Sequence, residues 1–324
     1  RHETYARPGA LPTVDPAHVS IADDLKRRDF TINALAIRVP DGKLIDRFSG
    51  IDDLLQARSI RVQHDRSFID DPTRIFRAVR FEQRFDFHIE PYTESLIAPA
   101  LPIINDLSGE RIRHEFDMIF QEAEPEKAMM RLEDLGVLRQ IEPELHFDAE
   151  TSKSFREVRQ HSPELERLGY RKLVAPFIYW PIWACYIDPI VWERLRVRLP
   201  FSNDMTVIIE QTLRAVKFVR SNTKPLKTSE FAKHIEPFDR IHAQIAAWVV
   251  LNKPDTQIRD YIARQMDKIY PELTGNDLIA LGLQPGPAFG TILRKLRDAQ
   301  LDGEISTVEE ERALVHQWLE QGLF

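Results

Sequence analysis

Asp70-Asp71-Pro72-Thr73-Arg74-Ile75-Phe76-Arg77-Ala78-Val79-Arg80-Phe81 is the stretch on which the fold turns. Asp71-Pro72 reads as a helix start, with Asp as N-cap and Pro at the first helical position. On the helix that follows, Asp71 and Arg74 are three apart and can lie side by side. Arg77, Arg80 and Arg84 fall within about 60° of one another, and Ile75, Phe76 and Val79 occupy a different sector. One face can thus carry phosphate contacts while another packs, although a solvated basic stripe would look the same.

Downstream of this stretch the chain reads as almost all helix. Helices are expected over residues 110–122, 125–138, 205–220, 228–235, 238–250, 254–268 and 288–301. Residues 173–187 carry no charge but are too few for a bilayer span, which needs about 20 residues. A buried helical core is the better reading, and no membrane partner is expected. Upstream the texture changes. Prolines at 8, 12 and 16 with Gly9 mark residues 1–20 as a loop. Residues 31–39 (TINALAIRV) form a helix or a strand that ends at the turn Pro40-Asp41-Gly42, and an apolar pattern resumes over 43–45.

Of the 324 residues, 43% are hydrophobic and 29% charged, which places the chain among globular rather than disordered proteins. Cys185 is the single cysteine, so no internal disulfide is available and a reducing cytoplasm is the natural compartment. The net charge of −7 is unusual for a nucleic-acid binder, but its distribution is uneven. Residues 1–84 carry 15 Lys+Arg against 13 Asp+Glu, and the remainder 29 against 38. Any phosphate-binding surface is therefore local and belongs to the N-terminal third, without broad non-specific affinity.

Four segments could carry chemistry. In Lys26-Arg27-Arg28-Asp29-Phe30-Thr31-Ile32-Asn33 the paired arginines can fork onto a polyphosphate and Asp29 can accept a ribose hydroxyl. Alone, this is equally a solvated charge run. In Asp46-Arg47-Phe48-Ser49-Gly50-Ile51-Asp52-Asp53-Leu54, Gly50 suits a tight turn before a short helix. Asp71 and Arg74 together offer an acceptor beside donors. That edge fits cytosine or adenine, which present an amino group beside a ring acceptor, and repels uracil or guanine. The plainer reading is a capped helix with a local ion pair. Near the C-terminus, Gly282, Gly286 and Gly290 frame a turn that can leave backbone N–H groups free for RNA phosphate, as can any helix hairpin.

Each segment is modest, but their order is informative. RRDFTINALA, DRFSGIDDL, DDPTRIFRAVRF and then Glu110-Arg111-Ile112-Arg113-His114-Glu115-Phe116 resemble the class II tRNA nucleotidyltransferases and their poly(A) polymerase relatives, as does the late GLQPGPAFGTIL. The resemblance implies a mainly α fold: a C-terminal remnant of an α/β nucleotidyltransferase head over 1–57, a helical neck over 58–145, a body over 146–252 and a tRNA-binding tail over 253–324. It implies an enzyme that adds C and A, or A alone, to the tRNA 3′ end, with CTP, ATP and tRNA as partners. Self-association is left open. Arg28 would contact the triphosphate, Asp29 the ribose 2′-hydroxyl with Asn33 nearby, and Asp71 and Arg74 the base edge. Arg77 and Arg80 would hold the nucleotide. Arg27, Asp46, Gly50, Asp70, Arg111 and Glu115 would support them, Asp46 and Gly50 as a hinge between head and neck, Arg111 and Glu115 as a brace.

The sequence departs from the family at two places. Asp70-Asp71 stands where Glu-Asp is usual. The Asp-x-Asp pair that holds Mg²⁺ in the complete enzyme is absent and is expected upstream of Arg1. No catalytic or metal ligand is therefore expected in this chain, and turnover is not expected of it alone. The segment Arg1-His2-Glu3-Thr4-Tyr5 resembles the start of the family's flexible loop. Its continuation ETYARPGALPTV resembles that of CCA- or A-adding relatives, including long ones with DHH and CBS domains upstream. Three rival readings remain: a non-catalytic RNA- or nucleotide-binding module, a poly(A) polymerase acting on other RNAs, and a helical scaffold whose motifs are relics.

Overall fold

A computed structural model describes residues 2–4, 13–15, 20–170, 174–222, 224–238, 240–251 and 257–323. The architecture is mainly α, as expected, with three two-stranded ribbons among the described residues. The chain divides into two compact units, residues 1–160 with 174–205, and residues 161–173 with 206–324.

In the first unit, His2–Thr4 and Thr13–Asp15 pair antiparallel inside the stretch read as a loop. The extended pairing corrects that reading for these six residues. Arg1, ahead of which the metal-binding pair is expected, lies outside the described residues, as does the rest of residues 1–19 beyond the two strands. The ambiguous segment 31–39 resolves into a single turn of 3₁₀ helix, Thr31–Asn33, and a strand, Leu35–Ile37, which pairs antiparallel with Leu44–Asp46. The turn between them is closed by Gly42, whose φ of +68° favours glycine. Ser59–Ile60 and His88–Ile89 form a short parallel pair.

The helix that carries the arginines runs Thr73–Phe85. Its regular turns start after Pro72, and Asp71 caps it as expected: in extended backbone, its Oδ1 accepts from the Thr73 amide at 3.1 Å. Ile75, Phe76 and Val79 face inward and are fully buried, as their sector requires. Phe76 meets Phe116 edge-to-face at 5.7 Å, which sets this helix against Gly109–Phe120. Phe116 and Phe120 continue the aromatic cluster to Trp180, at 5.4 and 5.2 Å. Trp180 lies on Pro176–Ala184, the helix expected to be buried core, and seven of its side chains from Ile178 to Ala184 are buried. The helix expected over 125–138 is split by Gly136 (φ +75°) into Pro125–Asp134 and Val137–Ile141.

The second unit holds the helices Thr228–Ile235 and Ala288–Leu301, both at their expected bounds. Part of the helix expected over 254–268 lies outside the described residues; Gln257–Ala263 is helical. Leu273, Leu278, Ile292, Leu296, Ile305 and Val315 form its C-terminal core. Among the described residues, no helix is long and apolar enough to cross a membrane.

Candidate functional site

Helix Ile21–Lys26 delivers the double arginine. Ser20 and Asp23 close a capping box at its start, with the Asp23 amide donating to Ser20 Oγ at 3.2 Å. Arg27 then turns back onto Asp24, Nε to Oδ1 at 2.9 Å, and Arg28 reaches Asp24 Oδ2 at 3.3 Å. Asp24 is thus held below the usual carboxylate range by the Arg27 hydrogen bond, which outweighs burial, with Arg28 adding to it. Arg28 is exposed, its side chain 44% accessible, while paired with Asp24.

Asp29 sits beneath this pair and is only 8% exposed. Its Oδ1 accepts from the Phe30 amide at 2.9 Å and from Asn33 Nδ2 at 3.0 Å; its Oδ2 accepts from Arg77 Nε at 2.7 Å. Four residues singled out in the sequence, Arg28, Asp29, Asn33 and Arg77, therefore come together. Arg77 in turn lies against the Phe81 ring, its guanidinium carbon 5.8 Å from the centroid.

The turn after the ribbon Leu35–Ile37/Leu44–Asp46 lies next to this cluster. Asp46 accepts three backbone N–H groups, from Phe48, Gly50 and Ile51, at 3.1, 3.0 and 3.0 Å. Burial opposes ionisation there, but those N–H groups outweigh it and hold Asp46 below the usual range. A Cβ on Gly50 would stand 2.2 Å from the Thr31 carbonyl oxygen, so only glycine lets this turn approach the segment that follows Asp29. Asp53, buried beside them, accepts from Thr31 Oγ1 and from Arg61 Nε at 3.0 Å.

Asp71 and Arg74 are each fixed by different neighbours, and among the described residues no ion pair joins them. Arg111 Nη2 donates to Asp71 Oδ1 at 2.7 Å, and Thr73 Oγ1 donates to the same oxygen at 2.7 Å. Every hydrogen bond that the Asp71 carboxylate accepts among the described residues falls on Oδ1; Oδ2 accepts none. Arg74, 7% exposed, donates from Nη1 to Ser67 Oγ at 2.7 Å and from Nη2 to the Arg27 carbonyl at 3.1 Å. Two of its donors are engaged and the rest of the fork is left for another acceptor. Asp70 points elsewhere, to Arg66 at 3.3 Å.

The stripe of three arginines is not an open phosphate face. Arg77 turns to Asp29 and Arg84 to Glu122, Nε to Oε2 at 2.9 Å. Arg80 is 5% exposed, because Phe81 and the Gly109–Phe120 helix cover it. Its Nε and Nη1 have no hydrogen-bond partner, and Glu122 is 3.9 Å from Nε. Burial lowers the Arg80 pKa, and nearby Glu115 opposes that. Burial likewise pushes Glu115 up, with Arg80 and Arg77 pulling it back.

Gly282, Gly286 and Gly290 are exposed. The Gly282 amide is not free: it donates to the Ile279 carbonyl at 2.9 Å, and Gly282 closes its helix at φ +94°. Gly290 lies inside Ala288–Leu301. Among the described residues no group of three or more His, Cys, Asp or Glu side chains could hold a metal ion.

Sequence reasoning missed Ser67, Thr73, Asp24 and Glu122. Thr73 was findable, two residues from Asp71 and able to bond back to it locally. Ser67 was not, since its contact depends on how a separate short helix, Ser67–Asp70, folds against Arg74.

The family described as "Poly A polymerase head domain" matches residues 1–61, and "Probable RNA and SrmB-binding site of polymerase A" matches 86–148. The A-adding tRNA nucleotidyltransferase of Geobacter sulfurreducens is 33% identical over 96% of this chain, which spans 36% of that protein. The A-adding tRNA nucleotidyltransferase of Halalkalibacterium halodurans is 31% identical over 96% of this chain and 71% of its own length. A CCA-adding enzyme in an apo form superposes with a TM-score of 0.79 at 28% identity, over 98% of this chain and 75% of the other. The Thermotoga maritima CCA-adding enzyme complexed with tRNA does so at 0.75 and 28%, over 92% and 74%. The chain belongs to the tRNA nucleotidyltransferase and poly(A) polymerase family.

Proposed function

We propose that this chain selects and holds the incoming nucleotide in an RNA nucleotidyltransferase that adds A, or C and A, to the tRNA 3′ end. In that reaction the RNA 3′-hydroxyl oxygen bonds to the nucleotide α-phosphorus. The bond from that phosphorus to the bridging oxygen breaks, and pyrophosphate leaves. Enzymes of this family use a divalent metal ion. Mg²⁺ is the proposed ion, held by carboxylates outside the described residues.

The observation that carries the reading is the split anchoring of Asp71 and Arg74. Asp71 keeps Oδ2 free because Arg111 and Thr73 take Oδ1. Arg74 keeps part of its fork free because Ser67 and the Arg27 carbonyl take only two donors. An acceptor beside donors, neither neutralised by the other, suits adenine (amino group beside N1) or cytosine (amino group beside N3). Arg28 then reaches toward phosphate. Asp29 and Asn33 offer the ribose its partners, with Arg77 orienting Asp29. Arg80 acts from beneath as a buried charge. Asp46 and Gly50 form the hinge turn, Glu115 stands with Arg111 in the brace, and the turn framed by Gly282, Gly286 and Gly290 touches RNA.

Among the relatives, two named A-adding match at 33% and 31% identity and a CCA-adding enzyme at 28%, which favours ATP as the principal nucleotide. Cytoplasmic tRNA processing is the proposed setting. The test is extension of tRNA ending at the discriminator base, at C or at CC, by the polypeptide that contains this chain, with ATP, CTP and divalent metal. Addition of A to the CC-ending tRNA is expected. Failure to extend any of the three would overturn the enzymatic reading.

A further inference from the structure

Ser67 contacts both members of the candidate base-reading pair. Its backbone carbonyl accepts the Asp71 amide at 3.2 Å, and its hydroxyl oxygen accepts from Arg74 Nη1 at 2.7 Å. It is fully buried, and its own amide donates to the His64 carbonyl at 3.1 Å, which ties it to the segment before. From this we propose that Ser67 is a specificity-determining positioning residue: its hydroxyl fixes the rotation of the Arg74 fork relative to Asp71, and so sets which base edge the pair accepts. The proposal rests on the reading of Asp71 and Arg74 as the base reader.

The physical case begins with the alternatives open to Arg74. A guanidinium has five N–H donors in a rigid plane, so fixing two of them fixes where the rest point. The Arg27 carbonyl takes Nη2 at 3.1 Å. One hydrogen bond to a carbonyl leaves the plane free to swing about that contact. A second, to Ser67 Oγ on the other terminal nitrogen, removes the swing. Without the Ser67 hydroxyl, the fork can turn a donor toward the carbonyl oxygen that uracil or guanine presents. Ser67 therefore acts on discrimination and not on the phosphate contacts, which lie at Arg28.

The spacing between acceptor and donors is fixed in the same way. The Asp71 amide is anchored on the Ser67 carbonyl and the Asp71 carboxylate on Arg111. Acceptor and donors are thus referred to one buried residue, and a shift of the Ser67–Asp70 helix moves both together. Removing only the hydroxyl separates the two functions, because the carbonyl contact to Asp71 survives.

The test is equilibrium titration of the 324-residue chain with ATP, CTP, GTP and UTP. Ser67→Ala is expected to weaken ATP and CTP about tenfold and to leave GTP and UTP unchanged or slightly tighter, in keeping with the ~1–3 kcal/mol that one bidentate base contact is worth in discrimination. Ser67→Cys keeps the volume and offers a weak acceptor, so its preference should fall between wild type and Ser67→Ala. In an Arg74→Ala background Ser67→Ala should change nothing further. A merely structural role would lower all four affinities together. An unchanged preference, a uniform loss, or an effect that persists without Arg74 would overturn the proposal. If wild type prefers ATP and CTP and Arg74→Ala removes the preference while Ser67→Ala does not, only the role of Ser67 fails. If wild type shows no preference, the base-reading proposal fails first and takes this one with it.

Discussion

Asp29 and Arg77, 48 residues apart in the chain, meet with Arg77 Nε 2.7 Å from Asp29 Oδ2. This contact ties the double-arginine segment to the helix Thr73–Phe85, and on the proposed reading it joins the sugar-facing and base-facing parts of the site. Asp29 is buried while the Arg77 side chain is 37% exposed, so solvent screens part of the attraction. Arg77→Met should cost about 1–3 kcal/mol, below the usual figure for breaking a fully buried pair. Urea denaturation measures it, and a loss under 0.5 kcal/mol (roughly the size of an ordinary surface substitution) would show that the pair does not hold the segments together.

The turn at Gly50 gives a second expectation. A methyl group there meets the backbone oxygen of Thr31, which cannot rotate out of the way. Gly50→Ala should destabilise by about 1–3 kcal/mol through overpacking and lower the thermal midpoint by several degrees. Gly42→Ala, with nothing within 4 Å, is the control: its cost comes only from the positive φ. Equal midpoints for wild type and Gly50→Ala would show that the turn is not tightly packed.

Two carboxylates titrate in opposite directions and give a pH test with opposite signs. Asp46 is lowered from 3.8, so the stability it contributes is present above that value and lost as pH falls through its folded pKa. Glu115 is raised from 4.5 by burial, so its contribution is full below 4.5 and lost as pH rises through its folded pKa. Asp46→Asn should thus cost most at neutral pH and progressively less as pH falls below 3.8. Glu115→Gln should gain on wild type as pH rises from 4 toward neutrality. Denaturation midpoints across that range check both, and parallel profiles for either variant and wild type would contradict its assignment.

Arg111 holds Asp71 from the neighbouring helix, so Arg111→Gln should loosen the acceptor. A charge-assisted hydrogen bond contributes about 1.5–3 kcal/mol. The preference for ATP and CTP should accordingly shrink severalfold, with GTP and UTP affinity little changed. A uniform loss across all four nucleotides would assign Arg111 to packing alone.

Much of this was legible in the sequence, and the reasons differ by residue. The buried sector Ile75, Phe76 and Val79 followed from helical periodicity, and the buried helix Pro176–Ala184 from its lack of charge. Bringing Arg28, Asp29, Asn33 and Arg77 into one site needed the order of the motifs, since each cluster alone reads as an ordinary charge run. The burial of Arg80 was not legible: helical angle put it beside Arg77 and Arg84, and only the packing of Gly109–Phe120 over that side hides it. The strands at His2–Thr4 and Thr13–Asp15 were hidden by the prolines around them. Ser67 carried no local pattern, because its role is set by a tertiary contact to Arg74.

The central claim is that Asp71 reads the base edge with the oxygen left free by Arg111 and Thr73. Its most direct test is the affinity of the 324-residue chain for the four nucleoside triphosphates, wild type against Asp71→Ala. Wild type should bind ATP and CTP at least about tenfold more tightly than GTP and UTP, and Asp71→Ala should bind all four alike. Equal binding of all four by wild type, or an unchanged preference in Asp71→Ala, would contradict it.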